Sequence, residues 1–440
     1  MSYKTAEAYT WSRQEGLKHG GFVCKGVVMP PLHLKAPVDH LYDVIVIGAG
    51  YAGLAAARDL TNAGRSVLMI EGRDRVGGRT YTIEEDGFKY EMGGTWVYHT
   101  QPYTYREMMR YKMETDLISS VDRTQENNYF SFNIPGFNRK ISYEESAKLL
   151  GKAWKTFINV DGHEAKQICP LPHSQIENPW VSRRDVEKWD SYSCWDRYLE
   201  IKNQLTDEEG GLLLALLLSI TGGNPDLKNS GFWDMIRSHA INGHSFEHMD
   251  EIWVTYKLRE GQSALARKMF DEAATFGLEY AFQTHVDRIE QVVSGGGSGS
   301  VLVHTRDGQV FKARKAVCTA PLNTLKSITF NPPLPDLRQE AVKAGHINFM
   351  TKAHAVAFHN WNTDPYTQGG PCFMPPKFMT TYMEELRKRQ GNVFFANADW
   401  ARAWRNFIDG ALEQGSLNGF EVLAELHRED QERTSSSCSL

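Results

Sequence analysis

Residues 43–71 read DVIVIGAGYAGLAAARDLTNAGRSVLMIE, and this stretch decides the fold. It opens at 43–47 with a short β-branched apolar run that lacks alternation, which is typical of a strand buried on both faces. The helical pattern that continues from Leu54 ends at Gly64, a residue that can adopt the left-handed conformation of a helix cap. Residues 67–70 predict a second buried strand. The stretch therefore predicts a strand-helix-strand unit of an α/β fold.

Three glycines in this unit have the spacing GxGxxG. Gly48 permits a tight turn, Gly50 lets a pyrophosphate approach the backbone, and Gly53 lets the helix pack closely on the strand. The helix start offers free N–H groups and a positive dipole end to phosphates. Glu71 stands at the end of the second strand, where it can accept hydrogen bonds from ribose hydroxyls and disfavours a 2′-phosphate. The glycine spacing alone would equally suit an ordinary turn, but the strand, helix and acid together predict a dinucleotide site.

The composition of the chain argues against several other classes of function. The chain has 440 residues, of which 41% are apolar and 11% aromatic, so it can form a sizeable core and two or three domains. Its net charge is −5 without a basic stripe, which argues against nucleic acid as a partner. Its six cysteines include no CxxC pair and no His/Cys cluster at metal-ligand spacing, so we expect a reducing compartment and no metal. The longest apolar run, 212–218, is too short for a membrane anchor.

Two glycine pairs follow the first unit. The first pair lies in GRDRVGGRTYT at 72–82, among three arginines: Arg73, Arg75 and Arg79. Gly78 and its neighbour let backbone approach a ligand, and the arginines can neutralise a pyrophosphate or fold back onto Glu71, although a charged surface turn would look the same. The second pair, in YEMGGTWV at 90–97, favours backbone held against a flat ligand, or a β-bulge beside a core tryptophan.

The rest of the chain divides into a helical part and a second strand-rich part. Residues 101–258 are mainly helical in pattern, and 208–219 predict the clearest buried helix. His239, His244 and His248 are spaced i, i+5, i+9, which does not place two ligands on one helical face, so no zinc site is predicted.

Residues 277–321 predict an antiparallel meander, with strands at 286–293, 301–305 and 310–313, that feeds an apolar strand at 316–319. A later strand at 392–397 and a helix at 409–426 complete the pattern. That helix can direct its positive dipole end at a ligand. Because a distant meander commonly completes the sheet of FAD-binding folds, we expect a cofactor domain that is discontinuous in sequence, with the helical part inserted into it.

Five motifs in this order resemble the flavin-containing amine oxidase family, and within it the fungal monoamine oxidases. They are GAGYAG at 48–53, ExRxRxGGR at 71–79, YEMGGTWV at 90–97, CTAPL at 318–322 and FANADWARAWRNFIDGALEQG at 395–415. The resemblance implies a Rossmann-like FAD/NAD(P)-binding domain with an inserted α+β substrate domain. It also implies FAD-dependent oxidation of a primary amine to an imine, hydrolysed to aldehyde and ammonia, with O₂ reduced to H₂O₂. The partners would be a small-molecule amine and O₂, and a homodimer is left open.

The resemblance and the spacing of the motifs give the following organisation. Residues 1–37 form an irregular arm; 38–116, 259–332 and 390–428 form the FAD-binding domain; 117–258 and 333–389 form the substrate domain; and 429–440 form a disordered tail. A peroxisomal or a cytoplasmic location is compatible with this chain, whose last three residues lack the basic middle residue of a peroxisomal tripeptide.

The resemblance also implies FAD bound in extended form. Glu71 would hold the adenosine ribose, the Gly48–Gly53 turn with Ala52 the pyrophosphate, and the Val286 backbone the adenine. The ribityl chain and the isoalloxazine would lie along Arg79, Gly94, Thr95 and Trp96, with Asp399 beside the ribityl chain and Ile408, Gly410 and Ala411 at the pyrimidine ring. Arg73 and Gly78 join this cofactor set from the glycine-arginine motif.

For catalysis, the resemblance implies that Lys352 contacts flavin N5 through water. Phe407 would form one wall of an aromatic cage for a neutral amine. The other wall would be Cys372 or Phe373, and we favour Phe373. An ordinary surface lysine and ordinary core phenylalanines are the alternatives. Cys372 lies where animal relatives attach the flavin covalently, but Pro371 shifts the spacing, so we expect FAD to be non-covalently bound.

The sequence departs from the family pattern after Lys352, where several tens of residues of the substrate domain are missing. The loss of interior strands is expected to expose apolar faces and sheet edges. Three hypotheses follow: an active amine oxidase, a flavin-binding protein impaired in catalysis, and a flavin oxidase of secondary metabolism that acts on a bulkier amine.

Overall fold

The computed structural model describes residues 3–37, 39–120, 129–134, 137–171, 182–221, 227–253, 255–292, 299–348, 351–354 and 357–437. The strands are β1 (Lys4–Thr5), β2 (Tyr9–Ser12), β3 (Gly16–His19), β4 (Phe22–Val23), β5 (Leu32–His33), β6 (Leu41–Ile47), β7 (Val67–Ile70), β8 (Thr82–Glu85), β9 (Phe88–Glu91), β10 (Leu117–Ser119), β11 (Tyr129–Ile134), β12 (Phe137–Ser142), β13 (Tyr256–Leu258), β14 (Glu279–Ala281), β15 (Val286–Val292), β16 (Ser300–Thr305), β17 (Val310–Cys318), β18 (Thr329–Asn331), β19 (Thr351–His354), β20 (Ala357–Asn360) and β21 (Val393–Phe395). The helices are α1 (Tyr51–Asn62), α2 (Pro102–Arg110), α3 (Tyr143–Ile158), α4 (Arg183–Asp190), α5 (Cys194–Ile201), α6 (Asp207–Thr221), α7 (Phe232–Ile241), α8 (Phe246–Ile252), α9 (Gln262–Thr275), α10 (Asp336–Ala344), α11 (Phe378–Leu386) and α12 (Ile408–Ser437).

A nine-stranded sheet organises the fold. Its order is β18-β15-β16-β17-β6-β7-β14-β5, and β21 pairs with β17 beside this path. β17, β6, β7 and β14 are parallel, whereas β15, β16 and the first half of β17 form an antiparallel meander. The two strands expected at 310–313 and 316–319 are one continuous strand, because β17 passes from the meander into the parallel sheet.

Both faces of the sheet are covered, as the unbroken apolar run at 43–47 predicted. Val44 and Val46 pack in a core with α1, α9 and α12. Ile45 and Ile47 point to the other face and pack in a larger core with α3, α6 and α7. The strand therefore needs apolar residues at every position, which explains the absence of alternation.

α12 packs against α1 at close range because both helices present small residues. A Cβ added at Gly415 would overlap the Ala52 carbonyl oxygen, and one added at Gly419 would lie 3.6 Å from Ala56 Cα. This packing places the first turn of α12 beside the glycine turn that precedes α1.

The N-terminal arm is not irregular, contrary to the expectation for residues 1–37. β1 and β4 join β8 and β9 in one four-stranded sheet, β2 and β3 join β19 and β20 in another, and β5 forms an edge of the central sheet. The sequence shows no sustained period here because each strand has only two to four residues. The arm thus ties the two halves of the molecule together.

The disordered tail expected at 429–440 is also incorrect over its first part, since α12 continues to Ser437. Glu429 lies 2.8 Å from Arg314 and 2.6 Å from Lys315, and Asp430 lies 2.7 Å from Arg65. These ion pairs reach cations on β17 and after α1, so the charged sequence that suggested disorder is bound to the cofactor domain.

The substrate half consists of helices α3–α8 with two antiparallel strand pairs, β10 with β13 and β11 with β12. The Asn-Pro-Asp sequence at 224–226 predicts a turn after α6, but it lies outside the described residues. β19 pairs with β20, and β20 pairs with β2 of the arm. Beyond β20, Trp361 is only 2% exposed and donates its indole N–H to Met92 O at 2.9 Å. The end of this sheet is therefore anchored to the chain that follows β9. Among the residues that the structure describes, no helix has the length and hydropathy to cross a bilayer.

Candidate functional site

One cavity of about 710 Å³ extends from the parallel strands into the helical half. Its wall includes the residues that directly follow three parallel strands: Gly48 after β6, Glu71 after β7 and Thr319 after β17. The carboxyl edge of a parallel sheet is the usual ligand position in such folds. The cavity also contacts α6 and α7 of the inserted half through Ser219, Ile220 and Ser238.

Two glycines of the turn lie where a side chain would collide with neighbouring protein atoms. Gly48 has φ of +102°, and a Cβ there would overlap Thr319 Oγ1. A Cβ on Gly53 would overlap the Gly48 carbonyl oxygen. Gly50 and Ala52 line the cavity, whereas Gly53 does not, so Gly53 acts by letting α1 approach β6. The arrangement fits the backbone cradle of a pyrophosphate.

The second glycine pair lies against the first. Gly77 N–H donates to Ala49 O at 2.9 Å, and a Cβ on Gly78 would stand 3.1 Å from Gly50 Cα. Gly94 N–H donates to Arg79 O at 3.1 Å and continues the same wall. The further predicted residues on the lining are Thr95, Trp96 and Val286. Three separate glycine motifs therefore form one continuous backbone surface.

Glu71 is buried at the end of β7, where its carboxylate is oriented by backbone. Its Oε2 accepts from Ala49 N–H at 2.6 Å and its Oε1 accepts from Arg73 N–H at 2.8 Å. Burial raises the pKa of Glu71, while the nearby Arg73 opposes this effect. The carboxylate lines the cavity and retains acceptor capacity for a ribose hydroxyl, since each oxygen has two lone pairs.

Arg73 and Arg75 are 5% and 0% exposed, so the charged surface turn is excluded. Arg73 donates to Asp364 at 2.6 and 2.9 Å and pairs with Glu7. Arg75 donates to Glu7 at 2.6 and 3.0 Å and to Gly78 O at 3.0 Å. The Arg73 side chain therefore pairs with the arm and with Asp364, although it also lines the cavity.

Arg79 reaches the cavity from the opposite side. Its guanidinium lies 2.7 Å from Asp399 Oδ1 and donates to Asn397 Oδ1 at 2.8 Å. Asp399 is fully buried, accepts from Leu322 N–H at 2.9 Å and does not line the cavity. Burial raises the pKa of Asp399, but the Arg79 cation, together with His346 and the Leu322 N–H, outweighs this and leaves that pKa below its ordinary value. Asp399 thus orients Arg79 rather than facing a ligand itself.

The first turn of α12 faces the cavity through Ile408 and Ala411. Gly410 points away from it, because a Cβ there would overlap Trp404 O. Asp409 is 1% exposed and accepts from Thr104 N–H at 2.7 Å, which joins this turn to the start of α2. The helix N-terminus therefore presents backbone N–H groups to the same cavity as the glycine turn.

Aromatic side chains line the end of the cavity in the inserted half. The Phe407 ring centroid lies 5.2 Å from that of Trp404, 5.9 Å from Trp253 and 6.4 Å from Tyr98. These four residues and Phe373 all line the cavity. This aromatic cluster presents apolar surface to the cavity, beside the charged Asp234, Arg237 and Arg405 side chains that also line it.

The residues on both sides of Cys372 line the cavity. Pro371 and Phe373 line it, and Cys372 between them does not. The Cys372 thiol is fully buried and contacts Met374 Sδ at 3.7 Å. Burial raises its pKa well above the ordinary value, which keeps the sulfur protonated and poorly nucleophilic.

The Lys352 side chain lies outside the described residues. Its backbone is on β19, opposite His359 of β20. His359 is buried, contacts the Tyr81 hydroxyl at 2.7 Å and Asp364 at 3.0 Å, and so connects β20 to the Arg73 network.

Two acids near the site escaped the sequence reasoning, the half-buried Glu7 and the buried Asp364. Glu7 is separated from Arg73 by 66 residues and Asp364 by 291, and neither belongs to a motif. A third acid, Asp234, pairs with Arg405. No local pattern marks these residues, because their partners come from other parts of the chain. Within the described part of the chain, no three His, Cys, Asp or Glu side chains are placed to hold a metal ion.

Comparison with known proteins agrees with this geometry. The profile of the family described as flavin containing amine oxidoreductase matches residues 51–357. The chain belongs to this family. The match ends at the first residue of β20, close to the position after Lys352 where we expected the sequence to be shortened.

Similar curated proteins include pseudooxynicotine dehydrogenase of Pseudomonas sp, which is 28% identical over 463 aligned positions that cover 89% of this chain and 88% of that protein. Amine oxidase B of Bos taurus is 23% identical, and the alignment covers 87% of this chain and 86% of that protein. The first alignment has more positions than this chain has residues, so several tens of them have no counterpart here.

Two solved structures share the fold. Putrescine oxidase bound to putrescine has a TM-score of 0.68 at 19% identity and covers 88% of this chain and 100% of that one. Cyclohexylamine oxidase from Brevibacterium oxydans has a TM-score of 0.68 at 16% identity, and the match covers 88% of this chain and 100% of that one. The Rossmann-like domain with an inserted substrate domain, expected from the motifs, is confirmed as the fold class.

Proposed function

We propose that this flavin-dependent amine oxidase converts a primary amine, O₂ and water into an aldehyde, ammonia and H₂O₂. One observation carries the proposal: a single cavity joins a dinucleotide cradle to an aromatic chamber. A cradle alone would suit many dinucleotide proteins, and an aromatic chamber alone would suit many ligands. Their continuity allows a bound amine to reach the far end of an extended cofactor.

The chain's residues fit FAD in an extended form. The Gly48–Ala52 turn would take the pyrophosphate and Glu71 the adenosine ribose, with Val286 at the adenine end. Arg79 would lie along the ribityl chain, held by the buried Asp399. The N-terminus of α12 would stabilise negative charge on the flavin pyrimidine ring. Bound FAD supplies the two-electron acceptor and passes the electrons to O₂.

The aromatic chamber accounts for the choice of a neutral amine. Phe373 and Phe407 are the proposed cage walls, and Trp253, Trp404 and Tyr98 surround Phe407. A charged ammonium would lose its hydration there, so the chamber favours the deprotonated amine. Holding that amine in one orientation lowers the entropic part of the barrier to loss of hydrogen from the adjacent carbon.

The cofactor is proposed to be non-covalently bound. The buried, protonated Cys372 thiol points away from the cavity, which disfavours a thioether link to the flavin. Acid precipitation of the purified protein is expected to release all of the flavin into the supernatant. Yellow colour that stays with the precipitate would contradict this, and Cys372→Ser would then show whether the link passes through this sulfur.

Anaerobic mixing with benzylamine tests the proposed reaction. The purified protein should carry oxidised flavin that absorbs at about 450 nm, and this band should bleach with benzylamine and return with air, with one H₂O₂ formed per turnover. Bound flavin that bleaches with neither benzylamine nor larger amines would instead support a protein impaired by its shortened substrate domain.

A bulkier amine is the second candidate substrate. Two of the similar curated proteins are named pseudooxynicotine dehydrogenase and nicotine dehydrogenase. Both names refer to amines that are larger than benzylamine. The missing alignment positions support a more open chamber. Bleaching by nicotine-like amines without bleaching by benzylamine would support this candidate over the first.

A further inference from the structure

Helix α7 runs between the two segments that carry Phe373 and Phe407. Its first turn contacts the backbone beside Phe373 twice. Gly231 N–H, at the N-cap, donates to Met374 O at 2.9 Å, and Met374 N–H donates to Asp234 Oδ2 at 2.9 Å. Both polar groups of the residue after Phe373 are therefore held by α7.

The same helix holds the segment that leads to Phe407. The other oxygen of Asp234 forms an ion pair with Arg405, and both side chains are 2% exposed. One turn further along α7, Arg237 Nη2 donates to Arg402 O at 2.9 Å and to Ala403 O at 3.1 Å. Asp234 thus connects Met374 on one side with Arg405 on the other.

We propose that Asp234 and Arg405 are positioning residues that fix the distance between the two walls of the aromatic cage. This inference rests on the proposed function, because it takes Phe373 and Phe407 as the cage. Both side chains line the cavity, and because they neutralise each other, the pair adds no net charge that would attract an ammonium ion.

The two cage walls need such a clamp, by which we mean Asp234 with its partners Met374 and Arg405, because the walls come from separate parts of the chain. Phe373 follows a loop after β20, and Phe407 precedes α12, so 34 positions of chain separate them and no strand pairing joins them. Each wall can shift independently unless a third element ties them together. A buried carboxylate with two partners does this, because leaving either partner unpaired in the interior is costly.

Asp234→Asn tests the clamp, since it removes the ion pair but keeps an oxygen for Met374 N–H. We expect FAD to stay bound and the limiting rate of anaerobic flavin bleaching by benzylamine to fall about 10–100-fold, as for misplacement of about 1 Å. Arg405→Lys keeps a positive charge but replaces the planar guanidinium by an ammonium group, so it should lower the same bleaching rate by a smaller factor. Glu107→Gln is the matched control: it breaks another buried pair, with Arg58, and should lower thermal stability with less than about twofold change in the rate.

Combination with Phe407→Ala separates positioning from a general structural effect. If Asp234 acts through the cage, Asp234→Asn should cause less than about threefold further loss once Phe407 is removed. An equal loss in both backgrounds, or an unchanged rate in Asp234→Asn alone, would overturn the inference.

Near-ultraviolet circular dichroism of the full-chain apoprotein gives a readout that does not depend on activity. Asp234→Asn should change the aromatic signal from the cluster around Phe407, whereas Glu107→Gln should leave it unchanged. If the signal of Asp234→Asn changes but no amine bleaches the flavin of the wild-type protein, the proposed function is wrong and the clamp still stands. If the signal of Asp234→Asn does not change, the clamp is wrong.

Discussion

Replacing Glu7 by Gln should reveal how strongly the N-terminal arm stabilises the molecule. Glu7 is paired with Arg73 and Arg75, both almost fully buried. Burial opposes its charge, but these two cations lower the pKa of Glu7 from its ordinary 4.5 to about 2. Since one pKa unit corresponds to about 1.4 kcal/mol, the charged form of Glu7 stabilises the native state by about 3 kcal/mol at neutral pH.

The sign of the pH dependence follows from the lowered pKa. The stabilisation is present above pH 4.5, where the unfolded state is also ionised, and it is lost as pH falls towards 2. At pH 3 about 1.5 kcal/mol should remain. Glu7→Gln should therefore lower the free energy of unfolding by about 2–3 kcal/mol at pH 7 and by roughly half as much at pH 3.

Urea unfolding of the FAD-loaded protein at the two pH values measures this difference. Glu85→Gln is the matched control, because Glu85 also joins the arm to the cofactor domain, through Lys18 at 2.7 Å, but this pair is 28% and 41% exposed. Such a pair should contribute no more than about 1 kcal/mol. A loss for Glu7→Gln that is the same at pH 7 and pH 3, or no larger than that of Glu85→Gln, would refute the reasoning.

Three other substitutions test separate parts of the site. Gly53→Ala should abolish FAD binding, because its methyl group would overlap the Gly48 carbonyl oxygen, while Gly419→Ala, where α12 packs on the other end of α1, should retain it; flavin absorbance of the purified proteins decides. Burial raises the pKa of Asp409 to about 7, so its ionisation destabilises the native state progressively from about pH 4 to pH 7. Asp409→Asn should raise the free energy of unfolding by about 2–4 kcal/mol at pH 8 and by less than about 1 kcal/mol at pH 4, and equal effects in the two urea titrations would contradict this. Lys352→Met should slow turnover or reoxidation with FAD still bound, and unchanged stopped-flow kinetics would remove Lys352 from the mechanism.

The position of the cofactor cradle could be predicted because its determinants are local. The apolar run, the GxGxxG turn and Glu71 lie within 29 consecutive residues, and the structure brings them together as β6, α1 and β7. The finer division of roles could not be predicted in this way. Three residues expected at the cofactor lie behind the cavity lining instead. Gly53 packs on Gly48, Gly410 packs on Trp404, and Asp399 pairs with Arg79.

The N-terminal arm and the end of α12 show where sequence patterns are insufficient. The arm has strands too short for a visible period, and residues 429–437 have a charged composition that resembles a disordered tail. Their order comes from distant partners. Glu7 meets the arginines of the glycine-arginine turn, and Glu429 meets Arg314 and Lys315 of β17.

The amino-acid sequence by itself determined the strand-helix-strand unit, the dinucleotide chemistry of its turn and the family, because short-range backbone requirements and apolar periodicity are written in consecutive residues. Only the tertiary structure decided which face of the Pro371–Phe373 segment lines the cavity, and that Asp234 joins Met374 to Arg405 across 140 and 171 positions of sequence. The physical reason is that buried charges are stable only beside partners that chain closure brings from elsewhere, and their pairing depends on the complete fold.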